Sequence, residues 1–167
     1  MAHTLILGMT ESGKTTLAKS LAAQYAKKGV RVLVFDPLND PAWVADFQTW
    51  NFDEFLEEYW SSRKCAVFFD ESGTISKEHD VELIKTATKG RHWGHSNHYI
   101  SQRGAMIPKT LRDQCKHLFM FAQSFDDAKT YAREYNSNEL TQVAGFKEGE
   151  YFHTTRFTQA TKGSLFK

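Results

Sequence analysis

Eight residues near the beginning of the chain, Gly8-Met9-Thr10-Glu11-Ser12-Gly13-Lys14-Thr15, have the spacing G-x-x-x-x-G-K-[ST]. Two glycines at that separation let the backbone curl until its N–H groups point inward, where phosphate oxygens satisfy them. Lys14 is placed to neutralise charge on the β- and γ-phosphates. The Thr15 hydroxyl is placed to bind Mg²⁺, and a helix opening here adds its dipole to the attraction. The binding segment expected from this chemistry runs from Gly8 to Thr16. Asp70 and Glu71 close the apolar run Cys65-Ala66-Val67-Phe68-Phe69. Carboxylates at the C-terminal end of a buried parallel strand face the ligand crevice. Asp70 is suited to hold Mg²⁺ through water, and Glu71 to polarise an attacking water, which is the chemistry of hydrolysis. Gln102 follows His98-Tyr99-Ile100-Ser101. An amide ending a buried strand is costly unless paired, so Gln102 is expected to bond a γ-phosphate and the water that attacks it.

These groups need strands that end together and helices that begin there. Thr4 to Leu7 is a short apolar run stopping at Gly8. From Lys14 to Lys28 the apolar positions Leu17, Ala18, Leu21, Ala22 and Tyr25 have helical spacing, and Gly29 ends the pattern. Arg31 to Phe35, Cys65 to Phe69, Asn97 to Ser101 and His117 to Phe121 read as further buried strands. Helices are expected over Asp53–Trp60, Lys77–Lys89, Pro108–Gln114 and Asp126–Tyr135, the last capped by Ser124. Strands of this length alternating with helices imply parallel βαβ units, an α/β fold. Glu150 to Phe152 is a last short strand, residues 1–160 form one domain, and residues 161–167 are expected to be a mobile tail.

Composition narrows the classes. With 21 basic and 20 acidic residues in 167, the chain is no uniformly basic nucleic-acid binder. Residues 85–116 nevertheless hold seven basic groups (Lys85, Lys89, Arg91, Arg103, Lys109, Arg112, Lys116) against Asp113 alone. An excess of that kind points to a face that meets anions. No apolar run approaches the roughly 20 residues of a membrane span, and no signal-peptide pattern opens the chain. Cys65 and Cys115 read as small buried residues of a reducing compartment. His92, His95 and His98 lack partners at ligand spacing and are expected to be polar loop residues.

The order of these motifs, with a strand between the phosphate-loop strand and the acidic one, is that of the additional-strand catalytic-glutamate class of P-loop proteins. The chain further resembles the FtsK–HerA superfamily of DNA-pumping ATPases. The genome-packaging ATPases of membrane-containing viruses with double jelly-roll capsids are nearest in size. The resemblance rests on Gly8 to Thr16, Val34-Phe35-Asp36-Pro37, Val67 to Glu71, Gly90-Arg91-His92-Trp93-Gly94 and Ser101-Gln102-Arg103. It continues through Ile107-Pro108 and Leu111-Arg112-Asp113-Gln114-Cys115. The resemblance implies a RecA-like sheet of order 5-1-4-3-2, ATP and Mg²⁺ as ligands, and Glu71 and Gln102 as catalytic residues. It also implies an arginine reaching a neighbouring subunit's nucleotide, for which Arg91 is preferred over Arg103 and Arg112. The partners implied are double-stranded DNA, further copies in a ring such as a hexamer, and capsid, portal-vertex or membrane proteins. The implied place is the host cytoplasm or a packaging vertex of the virion. Two other classes share a phosphate loop. Type II thymidine kinases have a similar Asp-Glu strand end but usually a Cys-rich zinc lasso, which is missing here. Zot-like assembly factors usually have a transmembrane helix.

Overall fold

Runs of apolar residues without alternation must be covered on both faces, and the fold is built to do so. In the computed structural model, residues 2–71 and 77–166 are described. In chain order they form β1 (His3–Leu7), α1 (Lys14–Lys27), β2 (Val32–Phe35), β3 (Phe47–Thr49), α2 (Phe52–Ser61) and β4 (Ala66–Phe69). The chain continues through α3 (Asp80–Lys89), β5 (Ser96–Ser101), α4 (Lys109–Asp113), β6 (Cys115–Met120), α5 (Phe125–Glu134), β7 (Glu150–Thr155) and β8 (Thr158–Ser164). The sheet runs β3-β2-β4-β5-β1-β6-β7-β8. Pairings from β3 through β6 are parallel, and β7 and β8 close the far edge antiparallel.

The five buried strands expected from the sequence, β1, β2, β4, β5 and β6, lie in the order 5-1-4-3-2. At the edges, the expected short strand Glu150 to Phe152 is β7, extended to Thr155, and two strands, β3 and β8, are added. β3 is only three residues long and half-buried, too short for a period to register. β8 overturns the expected mobile tail: Thr161 to Ser164 pair with β7, opposite His153 to Glu150. Its sequence, TQATKGS, is polar and largely exposed. An edge strand needs only backbone partners on one side, so its residues carry no apolar signature.

Successive side chains of the central strands enter different cores. Leu5, Leu7, Leu33, Phe35, Val67 and Phe69 face a core closed by α2, α3, α4 and α5. Ile6, Val32, Val34, Phe68 and Ile100 face a second, closed by α1 and Trp43. α1 packs with Leu17, Ala18 and Ala22 buried, so the helix that leaves the phosphate loop is fixed to the sheet along its length. In α3, Asp80 and Glu82 occupy the first turn, where the helix dipole favours acids. A 3-10 turn at Lys77–His79 takes the place of the expected earlier start.

Buried polar groups are matched to backbone. His3 spans Ala87 O at 3.1 Å and the Asn97 N–H at 3.1 Å. His98 meets Val67 O at 3.0 Å and stacks on Phe68 with ring centroids 4.2 Å apart. His95 accepts from the Cys65 N–H at 3.1 Å and faces Tyr59 O at 2.9 Å. His98 is therefore a core strand residue, not the loop residue expected, and His95, in the loop before β5, is buried. Burial, reinforced by Arg91 at His3, lowers the pKa of His3 and of His98 from 6.5 to about 4. Between those values the unfolded chain takes up protons that the native state refuses, so stability falls as pH drops from 6.5 towards 4. Each ring then costs about 3 kcal/mol at the acid end. His98→Phe should flatten the acid limb of a Tm-versus-pH curve while leaving the curve above pH 7 within a few degrees. An unchanged acid slope would assign that slope to other groups.

Candidate nucleotide site

β1 delivers the phosphate loop at its C-terminal end, and the strands on either side of β1 hold the first residues of that loop. The Gly8 N–H donates to Ser101 O at 3.1 Å, and the Met9 N–H to Ala122 O at 2.9 Å. The loop then turns on itself, with the Ser12 N–H donating to Met9 O at 3.1 Å. Gly8 must be glycine for lack of room: a Cβ there falls 2.3 Å from Ser12 Oγ and 2.8 Å from Phe121 Cβ. Gly13 must be glycine for its backbone, which sits at φ 110° as the cap of α1. Lys14 is buried, Thr15 half-buried in the first turn of α1, and Met9, Thr10, Glu11 and Thr16 exposed. Ser12 Oγ is buried with no hydrogen-bond partner among the described residues. An orphaned hydroxyl inside a curled loop at a helix N-terminus fits an anionic ligand.

Asp36 ends β2 and Asp70 and Glu71 end β4, all on the edge where the loop lies. Asp36 is consumed structurally: its carboxylate accepts from the Leu38 N–H at 2.9 Å and the Asp40 N–H at 2.8 Å. Asp70 is buried, and its Oδ1 accepts from the Glu71 N–H at 2.9 Å. Burial first, then the charges of Glu71 and Asp36, raise its pKa to about 6. Lys14 Nζ lies 3.9 Å from Glu71 Oε1. Glu71 has φ 52°, a left-handed conformation unusual for its type and the kind of local strain that gathers at functional sites. Buried carboxylate, half-buried hydroxyl and orphaned serine together suit a divalent cation carried in with phosphates. Its ligands would be Asp70, through water, and Thr15.

Gln102 departs from expectation. β5 ends at Ser101, and the Gln102 side chain is exposed rather than buried at the strand end. It lines a cavity of about 300 Å³ with Met9, Thr10, Arg103, Gln123, Ser124 and Asp127. A residue not singled out in the sequence fixes this loop. Gln123 is buried, its Nε2 donates to Gln102 O at 2.6 Å, and its Oε1 accepts from the Gly104 N–H at 3.2 Å. A buried amide shortly past a strand end was the available signal.

The three arginines go to three different places. Arg91 sits in the 3-10 turn before β5, on the edge where the parallel strands begin, opposite the phosphate loop. It donates to Gln114 Oε1 at 2.6 Å. Arg112 is committed within the chain, to Glu134 at 2.7 Å, to Ile107 O at 2.8 Å and over the Tyr131 ring. Arg103 lies beside the loop edge, largely exposed, with Asp127 at 3.3 Å. The basic stretch is therefore not one face. Lys89, Arg91 and Lys116 are at the strand-start edge and Arg103 is at the other, while Lys85, Arg103, Lys109 and Arg112 all have carboxylate partners.

Known proteins share this loop and this fold. The family model for the central domain of helicase HerA matches residues 1–55, the segment that contains β1, the phosphate loop, α1, β2 and Asp36. No curated protein matches the sequence. Among solved structures, the chain is similar to the genome packaging NTPase B204 of Sulfolobus turreted icosahedral virus 2 in complex with AMPPCP. The TM-score is 0.79 at 12% identity, covering 99% of this chain and 98% of that one. It is similar to VirB4 of Thermoanaerobacter pseudethanolicus, with TM-score 0.74 at 12% identity over 99% of this chain and 89% of the other. It is also similar to the pCW3 conjugation coupling protein TcpA with ATPγS, with TM-score 0.72 at 13% identity over 98% and 59% of the two chains. The resemblance to the HerA central domain holds over residues 1–55, and the chain as a whole has the fold of these solved structures.

Gln123→Leu should leave the buried Gly104 N–H without its acceptor, at a cost of about 1–3 kcal/mol. The expected result is a Tm several degrees lower and faster hydrogen exchange at the Gly104 amide. Unchanged exchange there would remove Gln123 from the role of fixing the 102–104 loop.

Proposed function

We propose that this chain is an ATP-hydrolysing nucleic-acid translocase, the motor ATPase that packages a viral genome. The observation that carries the proposal is the meeting of Lys14, the orphaned Ser12 hydroxyl, Asp70 and Glu71 at one sheet edge beneath a curled glycine loop. That set matches a nucleoside triphosphate with its phosphates in the loop. The loop N–H groups and Lys14 hold the β- and γ-phosphates. Asp70, through water, and Thr15 would hold Mg²⁺, which would draw charge from the phosphate oxygens. Glu71 accepts a proton from the attacking water, whose oxygen bonds to the γ-phosphorus as the bridge to the β-phosphate breaks and ADP leaves. Gln102, on the loop that Gln123 secures, is assigned to the γ-phosphate and the water.

Arg91 is assigned to a neighbour's site. It lies on the sheet edge away from its own phosphate loop, so contact with a transferring phosphate requires a second copy in a ring. A guanidinium in that role contributes roughly 10³–10⁵ in rate. The DNA-handling part of the proposal is supported by the likeness to packaging and conjugation proteins. Arg103, paired with Asp127 yet largely exposed, is within reach of a phosphate backbone at that edge.

Phosphate release measured with and without double-stranded DNA, beside the oligomer's mass, tests the proposal. Stimulation by DNA in an oligomer is expected, and ADP formation only with an added nucleoside would identify a kinase instead. Lys14→Ala should abolish tight ATP binding. Glu71→Gln should retain binding and lose turnover, and turnover that survives it moves the base elsewhere. Arg91→Ala should hydrolyse ATP poorly yet regain part of its activity when mixed with Glu71→Gln. A dead mixture of assembled subunits returns the assignment to Arg103.

A further inference from the structure

The cavity at the mouth of the phosphate loop has two walls and a volume of about 450 Å³. One wall is Glu11, Gly13, Lys14, Thr15 and Thr16, which the phosphates explain. The other is Glu148 and Phe166, at the start and the end of the β7–β8 hairpin, which the phosphates do not explain.

The Phe166 ring is seated with care. Gly149, at φ +86°, leaves it room: a Cβ there would fall 2.5 Å from Phe166 Cδ2. The backbone on either side is tied to the phosphate loop. The Gly149 N–H donates to Ser12 O at 2.9 Å, and the Leu165 N–H donates to Gly149 O at 2.9 Å. Leu165 itself backs Gly13, where an added Cβ would come 2.9 Å from Leu165 Cδ1. Ser164 Oγ donates to Phe166 O at 2.7 Å, fixing the turn that presents the ring. Yet Phe166 remains 50% exposed while lining the cavity. A ring that served only to fill the core would be covered. One held firmly and left half open beside an anion cradle has the form of a stacking platform, because a planar base gains both apolar burial and π contact on it. The cavity volume lies in the range of small-molecule sites. Glu148, exposed at the rim, offers acceptors only, and the exocyclic amino group of a purine offers donors.

We infer that this wall is the base subsite: a purine nucleotide lays its ring on Phe166 and turns its amino edge to Glu148 while its phosphates occupy the loop. The inference rests on the nucleotide reading above and adds to it the residues that hold the base. A purine covers more of the ring than a pyrimidine, so ATP should bind more tightly than CTP.

The test compares ATP with inorganic tripolyphosphate, which has the phosphates and no base, using calorimetry on the full chain. Phe166→Ala should weaken ATP about tenfold, the scale of one base–aromatic contact, and leave tripolyphosphate unchanged. Phe166→Trp should retain ATP affinity and show indole fluorescence quenched by ATP but not by tripolyphosphate. Unchanged ATP affinity in Phe166→Ala overturns the base subsite and leaves the phosphate loop standing, as does an equal loss for both ligands. ATP binding that survives Lys14→Ala overturns the phosphate-loop reading, and the base subsite with it.

Discussion

β1 has a hydrogen-bonded neighbour on each side, and its pairing does not stop where the strand stops. Leu7 O accepts from the Phe121 N–H at 2.8 Å, and Gly8 and Met9 go on to bond β5's last carbonyl and that of Ala122. The phosphate loop therefore hangs from two strands as it turns away from the sheet. A short curl with inward-pointing N–H groups would be a poor conformation in isolation, since those groups repel one another and face no partner. Anchored at Gly8 and Met9, and again at Gly13 by the rigid first turn of α1, it has little freedom left to lose. The site is preorganised by strand order, and strand order is set by apolar runs that accept only a doubly covered, parallel arrangement.

That preorganisation has an electrostatic counterpart. Asp36, Asp70 and Glu71 come to one edge because two neighbouring parallel strands, β2 and β4, end there, while Lys14 is the cation that faces Glu71. Asp36 is quieted by two backbone donors, but Asp70 is buried among like charges and holds its proton more tightly than an ordinary aspartate. Among the described residues, the pocket thus has negative charge in excess of its cations. A ligand of phosphates alone would add to that excess, whereas one accompanied by a divalent cation relieves it. Burial of Asp70, costly as the chain stands, would be offset by such a cation.

The central sheet was legible because its strands are buried on both faces and so have an unbroken apolar signature, and the phosphate loop because steric demands fix two glycines. Asp70 and Glu71 followed from their place at a strand end. What escaped is what obeys weaker rules. β3 is too short to show a period, and β8 is polar and largely exposed, so it leaves no apolar pattern. Gln123 stands in a telling place, just past β6, but the partners of its hydrogen bonds, Gln102 and Gly104, are distant in sequence. Gln102 is exposed because it lies just past the covered strand, in the bend that follows Ser101. The basic stretch of residues 85–116 read as one face, yet the chain turns between its members, and acids distant in sequence (Asp127, Glu134) meet them. Periodicity reports which side of an element is covered. It is silent on which elements end together.

The bond from Gly149 N–H to Ser12 O joins the beginning of the fold to its last hairpin. During synthesis, residues 8–16 emerge early but wait for β5 and β6 to flank them and for residues 149–166 to back them. Such contacts between distant parts of the chain form slowly. A nascent chain would expose its glycine loop long before that loop could hold an anion. On the nucleotide reading proposed above, affinity would come only once the hairpin docks, so a bound nucleotide would stabilise the finished fold over its partly made forms.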